Sequence, residues 1–348
     1  MSMSKYIMLH HGAGAREMWN IIEALIISKV PTKLRKLPRG AGIDVLDDGA
    51  VIPISDNEYL VFSVDSYIVN PIFFPGGNIG HLTVNGTIND LVVMGAEPKA
   101  FMDTIIVEEG FPLSDLEIII NSMLEVLKNE DIALIGGDFK VMPKGSIDKV
   151  VITGVGIGIT DKPIIDKDIK PGDKIILTSP IAEHGAAILA AQLGLLDEVK
   201  NLRSDSRPLS RTLLPLIKKY KEYVHAARDP TRGGIAAVLN EWVRSSNLLI
   251  TIHRDKVPIR EDVKAFLEAM GVDPLSMASE GSAVLAVNGD VAEEFVKELR
   301  SRGEDNAAII GEVTKPDSEI LRGRVLAITE IGGKIILEPK SVNLPRIC

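Results

Sequence analysis

The residues best suited to chemistry are acids set among glycines. Asp47-Asp48-Gly49-Ala50 precedes a β-branched run and Asp65 ends another. Asn85-Gly86-Thr87-Ile88-Asn89-Asp90 and Gly136-Gly137-Asp138-Phe139-Lys140 read as two further acid- and glycine-rich loops. Mg2+ takes hard oxygen ligands, commonly one or two carboxylates with substrate phosphates completing the shell. Acids at strand ends meet that need, and Lys140 would offset charge on a phosphoryl group in transfer. Taken singly, each segment is equally an ordinary turn, because Asp, Asn and Gly tolerate left-handed backbone. In a fourth loop, Arg228-Asp229-Pro230-Thr231-Arg232-Gly233-Gly234, glycines open an apolar helical run and would free N–H groups for an anion. Asp229 and Thr231 serve as capping groups on the simpler reading. In a fifth, Ala278-Ser279-Glu280-Gly281-Ser282, Glu280 is either a base or a solvated turn residue. Neither standard nucleotide fingerprint, G-x-x-x-x-G-K-S/T or a strand-linked G-x-G-x-x-G, occurs, so any ATP site is of another type.

The sequence has a single cysteine, and it is the last residue, Cys348. One cysteine closes no internal disulfide and builds no Cys-rich zinc site. It ends the run Glu-Pro-Lys-Ser-Val-Asn-Leu-Pro-Arg-Ile-Cys, which has prolines and no periodicity. An extended tail is expected from about residue 339; ten such residues reach about 30 Å, enough to carry the thiol well clear of the body. The histidines show no metal-ligand spacing beyond the adjacent His10-His11 and read as individually placed.

These groups need a scaffold, and the chain reads as mixed α/β. Helices are predicted over Glu17–Ser28, Gly80–Met94 and Ser114–Lys128, the last capped by Ser114 with Glu117 three residues on. Strands are predicted over Ala50–Ile54, Tyr59–Val64, Lys99–Val107, Ile132–Ile135 and Lys149–Ile159. In the last, Gly154, Gly156 and Gly158 share one face, which something must approach closely. Asp161–Asp173 carries Pro163, Pro171, Gly172 and charges without periodicity, and reads as a boundary. Beyond it strands are expected at Lys174–Thr178, Leu248–Ile252, Ala283–Val287, Ala307–Val313, Arg324–Thr329 and Lys334–Leu337. Helices are expected at Glu183–Leu195, Arg211–Tyr220, Gly234–Ser245, Arg260–Met270 and Val291–Arg300. Two domains, 1–160 and 161–338, followed by a tail, 339–348, fit 348 residues.

Composition removes several classes. With 39 Lys+Arg against 48 Asp+Glu the net charge is -9, which disfavours a sequence-independent nucleic-acid binder. Aromatics at 4% leave few platforms for base stacking. No apolar run approaches the ~20 residues of a membrane span, and no signal-peptide pattern is visible, so a cytoplasmic location is the expectation.

Read in order, Asp-Asp-Gly-Ala-Val-Ile, Val-Asp-Ser, Phe-Phe-Pro-Gly-Gly-Asn-Ile-Gly, Val-Asn-Gly-Thr-Ile-Asn-Asp-Leu-x-x-Met-Gly-Ala-Glu-Pro, Gly-Gly-Asp-x-Lys-Val and Asp-Pro-Thr-Arg-Gly-Gly resemble the HypE family of hydrogenase maturation factors. These are carbamoyl dehydratases of the PurM-like (aminoimidazole-ribonucleotide synthetase) superfamily. The resemblance spans essentially the whole chain. The Asn-Asp-Leu-x-x-Met-Gly-Ala segment is shared across the superfamily, and the final Pro345-Arg346-Ile347-Cys348 points to this member.

The resemblance implies a two-domain PurM-like fold whose first domain forms half of an intersubunit β-barrel in a homodimer. It implies that the carbamoyltransferase HypF loads a carbamoyl group on Cys348. ATP and Mg2+ then serve its dehydration to a thiocyanate. The cyano group passes to the HypC–HypD complex and becomes a cyanide ligand on the iron of a nickel–iron hydrogenase. By position, Asp48, Asp90 and Asp229 match Mg2+-binding acids, while Asp65 and Asp138 match positions along the ATP phosphates. Asn85, Thr87 and Gly137 fall in the same nucleotide segments. Lys140 and Glu280 match positions near the reacting carboxamide, Glu280 as the base. Phe139 stands where the family usually has Thr, and Ala15 where it has Gly. Two alternatives remain: a small-molecule relative of selenophosphate-synthetase or thiamine-monophosphate-kinase type, and a non-enzymatic carrier that only offers its tail. The first would need tail-independent turnover, and a selenophosphate synthetase also a reactive Cys near its start, which is lacking. The second would tolerate loss of Asp90 and Asp229.

Overall fold

The structure, a computed structural model, describes residues 6–14, 16–244, 246–339 and 346–348. Ala15, Ser245 at the expected end of one helix, and residues 340–345 of the expected tail lie outside the described residues.

The first half begins with helix α1 (Arg16–Leu25), then strands β1 (Ala50–Pro53) and β2 (Tyr59–Tyr67) and the small hairpin β3 (Phe73–Phe74) and β4 (Gly77–Asn78). Helix α2 (Ile79–Val93), strand β5 (Glu97–Glu108), helix α3 (Leu113–Asn129), and strands β6 (Ala133–Met142) and β7 (Val150–Thr160) follow. The strands form one sheet in the order β1-β2-β7-β5-β6, with β6 parallel to β5 at the edge. Helix α2 starts where the Asn78 side chain accepts the N–H groups of Gly80 and His81. It is buried nearly all round because it is held between the sheet, α3 and the second half of the chain. The glycine face expected on β7 is real: a Cβ on Gly154 would lie 2.3 Å from the Thr87 hydroxyl, and one on Gly156 would lie 2.9 Å from Leu91. Those glycines let α2 settle directly on the strand.

The second half carries β8 (Lys174–Leu177), α4 (Glu183–Gln192), α5 (Leu214–Lys219), β9 (Val224–Arg228), α6 (Gly234–Val243) and β10 (Leu249–His253). It continues with α7 (Glu261–Ala269), β11 (Val284–Val287), α8 (Ala292–Ser301), β12 (Ala308–Thr314), β13 (Arg324–Ile328) and β14 (Lys334–Ile336). Its mixed sheet runs β14-β13-β10-β12-β8-β11-β9. One apolar cluster links the two halves, with Val92 and Val93 of α2 joined to Leu213 and Ile217 beside and within α5.

Several expectations are corrected. Gly136–Lys140 is not a loop but the middle of β6, paired residue by residue with β5. Asn85–Asp90 is the body of α2, as the helix expected over Gly80–Met94 requires, and not a separate loop. Helix α3 starts after Pro112, with Ser114 inside its first turn and no side-chain cap. The last residues of the chain are not held away from the body: Arg346–Cys348 is docked on it. Among the described residues no helix is long and apolar enough to cross a membrane.

Candidate functional site

Asp48 precedes β1, Asp90 lies near the end of α2, and Asp229 follows β9, so three distant segments must converge to bring them together. They do: one carboxylate oxygen of each lies within 4.8 Å of the others. Asp48 Oδ2 and Asp229 Oδ2 are buried and have no hydrogen-bond partner among the described residues. Burial and the neighbouring acids push Asp48 and Asp90 well above the usual carboxylate range. Burial, with Asp65 adding repulsion, raises Asp229 to about 7. Acids packed this closely could hold a cation, which would relieve their mutual repulsion. An all-oxygen donor set suits a hard divalent ion rather than a thiophilic one.

The partly exposed Asp65 sits beside this trio and takes a hydrogen bond from the Tyr67 hydroxyl. Desolvation raises it and Arg232 opposes the rise. Tyr67 fits only because residue 86 is glycine, where a Cβ would lie 2.0 Å from the phenol oxygen. Glu280 is fully buried, and among the described residues neither of its side-chain oxygens has a partner. Burial lifts it far above the carboxylate range, Asp229, Asp205 and Asp65 add to the lift, and Arg232 counters it.

The thiol of Cys348 shares a cavity with Arg232 and lies within the electrostatic reach of these acids. Desolvation pushes it strongly upward; Arg232 lowers it, while Glu280, Asp65 and Asp229 raise it. The chain end is held by main-chain bonds from Ile68 N–H to the Cys348 carbonyl, 3.2 Å, and from Asn70 N–H to the Arg346 carbonyl, 3.0 Å. A cavity of about 410 Å3 adjoins the thiol, lined by Met8, Leu9, Ile68, Arg232, Met277 and Ile347 among others.

Sequence reasoning missed the groups that hold these acids. Arg228 is buried and pairs with Asp48 at 3.2 Å, Asp166 at 2.9 Å and Glu241. Ser63 donates its hydroxyl to Asp90. Asn89 donates to the carbonyls of Arg207 and Glu280 and accepts the Leu209 N–H at 2.8 Å, tying α2 to the second half. The signal available was only that these polar residues flank the motif acids.

Not every expected residue arrives. Asn85 points its amide nitrogen to Ser206 Oγ at 3.1 Å and leaves Oδ1 without a partner among the described residues. The Thr87 hydroxyl is spent on the Thr83 carbonyl at 2.8 Å and faces β7, not the acids. Gly137, Asp138 and Lys140 lie on the exposed edge strand, where Lys140 pairs with Asp138 at 2.6 Å. In the ladder Asp65 faces Gly154, Gly154 faces Asp103, and Asp103 faces Gly137. Three strand spacings of about 4.8 Å therefore separate that edge from Asp65, about 14 Å within one chain.

Comparison with known proteins bears on the family and the fold. The N-terminal and C-terminal domains of AIR synthase related proteins match residues 46–160 and 170–324. A hydrogenase expression/formation protein of Methanocaldococcus jannaschii is 41% identical over 341 residues, covering 97% of this chain and 98% of the relative. The carbamoyl dehydratase HypE of Escherichia coli K12 is 35% identical over 352 residues, covering 98% and 99%. The chain belongs to the HypE family. Two solved HypE structures share its fold. One, a HypE–HypF complex, has TM-score 0.82 and 34% identity over 92% of this chain and 99% of that one. The other, HypE in complex with ATP, has TM-score 0.80 and 33% identity over 99% and 100%. The two-domain PurM-like fold expected from the motifs is thus the fold of the HypE family.

Proposed function

We propose that this chain dehydrates an S-carbamoyl group on its own Cys348 to a thiocyanate, at the expense of ATP. The observation that carries the reading is the docking of Cys348 beside Arg232 on one cavity, within the electrostatic reach of Asp65, Asp229 and Glu280. A small-molecule enzyme of this fold has no need of that docking.

The chemistry follows from a poor leaving group. The carboxamide oxygen of Cys-S-C(O)NH2 takes the γ-phosphoryl group, ADP departs, and a nitrogen proton is lost. Removal of the second nitrogen proton expels phosphate and leaves Cys-S-C≡N. The sum is thiocarbamate plus ATP giving thiocyanate, ADP and phosphate. Glu280, buried and without a side-chain partner among the described residues, becomes a strong base once ionised and takes a nitrogen proton. Arg232 faces the thiol and the acids and balances charge beside the carboxamide. Asp48, Asp90 and Asp229 would hold Mg2+, which supplies charge neutralisation to the phosphates when bound. Asp65 and Asn85 Oδ1 border the same space.

Lys140, Asp138 and Gly137 would enter only through a second copy. The β6 strand exposes Leu134, Ile135, Phe139 and Val141, and Val64 on β2 is exposed as well. Apolar residues on an open strand edge fit burial against another chain. We therefore read a homodimer that closes a shared barrel. Placing Val141→Glu there should shift the mass measured by light scattering to that of a monomer. The division into 1–160, 161–338 and 339–348, loading by HypF and delivery to HypC–HypD of the hydrogenase cyanide complete the reading. A relative crystallised with HypF and another with ATP support the first partner and the nucleotide.

Cys348→Ala should bind ATP with unchanged affinity and form no thiocyanate; formation without Cys348 would exclude the reading. Asp90→Asn and Asp229→Asn should also abolish it, and cyano delivery persisting in both would favour a passive carrier.

A further inference from the structure

The proposed reaction requires the tail to be held in one register, and main-chain bonds to residues 68–70 fix only one side of it. The other side is held by a side chain. His184, at the start of α4, is 0% exposed, and its Nε2 lies 2.7 Å from the carbonyl oxygen of Ile347. A carbonyl can only accept, so Nε2 carries the hydrogen. The other ring nitrogen, Nδ1, lies 2.7 Å from Ser204 Oγ, and that oxygen already accepts the Ser206 N–H at 3.1 Å. The Ser204 hydroxyl therefore donates to Nδ1, and one tautomer of a neutral ring satisfies the chain of bonds. Desolvation holds the ring neutral, lowering it to about 4. Phe74 closes the ring edge-on, with centroids 5.4 Å apart.

The ring is also registered to the reacting end. The Asp205 carboxylate accepts the backbone N–H of His184, Glu280 and Gly281, each at 3.1 Å. Residue 281 must be glycine, because a Cβ there would lie 1.9 Å from the Asp205 carbonyl. One carboxylate thus sets both the donor that grips the tail and the loop that carries Glu280.

We propose that His184 is a positioning residue for Cys348: oriented by Ser204 and set against the Glu280 loop by Asp205, it holds the Ile347 carbonyl and so places the thiol and its attached group among the acids. A core histidine of purely structural use would spend this bond on an element that never moves. Here the partner is the segment that must leave to be loaded if the carbamoyl reading, on which the catalytic half of this inference rests, is right.

The sole cysteine makes the test direct. In the full chain, the rate at which iodoacetamide alkylates Cys348 reports undocking. His184→Ala should raise that rate about tenfold, the order expected for one lost buried hydrogen bond. His184→Gln, whose amide can still donate to the Ile347 carbonyl, should restore slow labelling, and Ser204→Ala should lie between. ATP affinity should be unchanged in all three. ATP-dependent loss of water from carbamoylated Cys348 should fall in step with docking. Equal labelling in His184→Ala and the natural chain would overturn the proposal, as would faster labelling with undiminished water loss. If the natural chain loses no water at all, the dehydratase reading fails, and the labelling series alone decides whether His184 holds the tail.

Discussion

Replacing Asp229 by Asn separates a cation site from a merely crowded one. Asp229 is held near 7 by burial first and then by Asp65, while an unfolded aspartate titrates near 3.9. Between these values the folded state binds the extra proton, so ionisation costs stability as pH rises through the window. At pH 8 the cost is on the order of 4 kcal/mol. Coulomb repulsion across the 4.8 Å between cluster oxygens, at an effective dielectric of about 20, is of similar size, about 3 kcal/mol per pair. The amide removes the charge but leaves a buried polar group short of partners, returning about 1–3 kcal/mol. Metal-free Asp229→Asn should therefore be more stable than the natural chain by about 1 kcal/mol or more at pH 8, and the advantage should vanish at pH 5. Mg2+ with ATP at a hundred times its dissociation constant should stabilise the natural chain by about 2.7 kcal/mol and the variant by far less. Urea denaturation at the two pH values, with and without Mg2+ and ATP, measures all of this. A variant equally destabilised at both pH values and fully responsive to Mg2+ would refute the reasoning.

Gly281→Ala forces a methyl group against the Asp205 carbonyl and should cost more than about 3 kcal/mol in chemical denaturation. Arg228→Met leaves Asp48, Asp166 and Glu241 without their shared cation; a loss of about 3–5 kcal/mol is expected, partly recovered on adding Mg2+. His184 is neutral when folded, with its value lowered to about 4, against about 6.5 unfolded. The unfolded state binds more protons between those values, so this group's contribution is full above pH 6.5 and lost as pH falls to 4. The stability of the natural chain relative to His184→Gln should grow by on the order of 3 kcal/mol from pH 4 to pH 6.5, and a flat difference would contradict a buried neutral ring.

Much of the scaffold was legible because burial leaves periodic marks. The alternation of β7, its glycine face and the helix expected at Gly80–Met94, found as Ile79–Val93, all follow from local rules. Only the start of β6 was legible, in the strand expected at Ile132–Ile135; the rest escaped because both of its faces are exposed, which removes the alternation that would distinguish it from a loop. Val224–Arg228 escaped because it is short and buried on both faces, leaving His225 and Arg228 to read as polar interruptions. The convergence of Asp48, Asp90 and Asp229 was anticipated by motif resemblance rather than by spacing. Arg228, Asp205 and His184 were not anticipated, because their partners lie far along the chain and buried charge pairing leaves no local pattern. The docking of Arg346–Cys348 was likewise invisible, since main-chain bonding to residues 68–70 does not depend on side-chain type.

The most direct test of the central claim is the mass of the peptide ending in Cys348 after the full chain is carbamoylated and incubated with Mg2+, with and without ATP. The account predicts loss of one water from the carbamoyl adduct in the presence of ATP, none in its absence, and none in Asp229→Asn. An adduct that keeps its water with ATP, or loses it without ATP, would contradict the account.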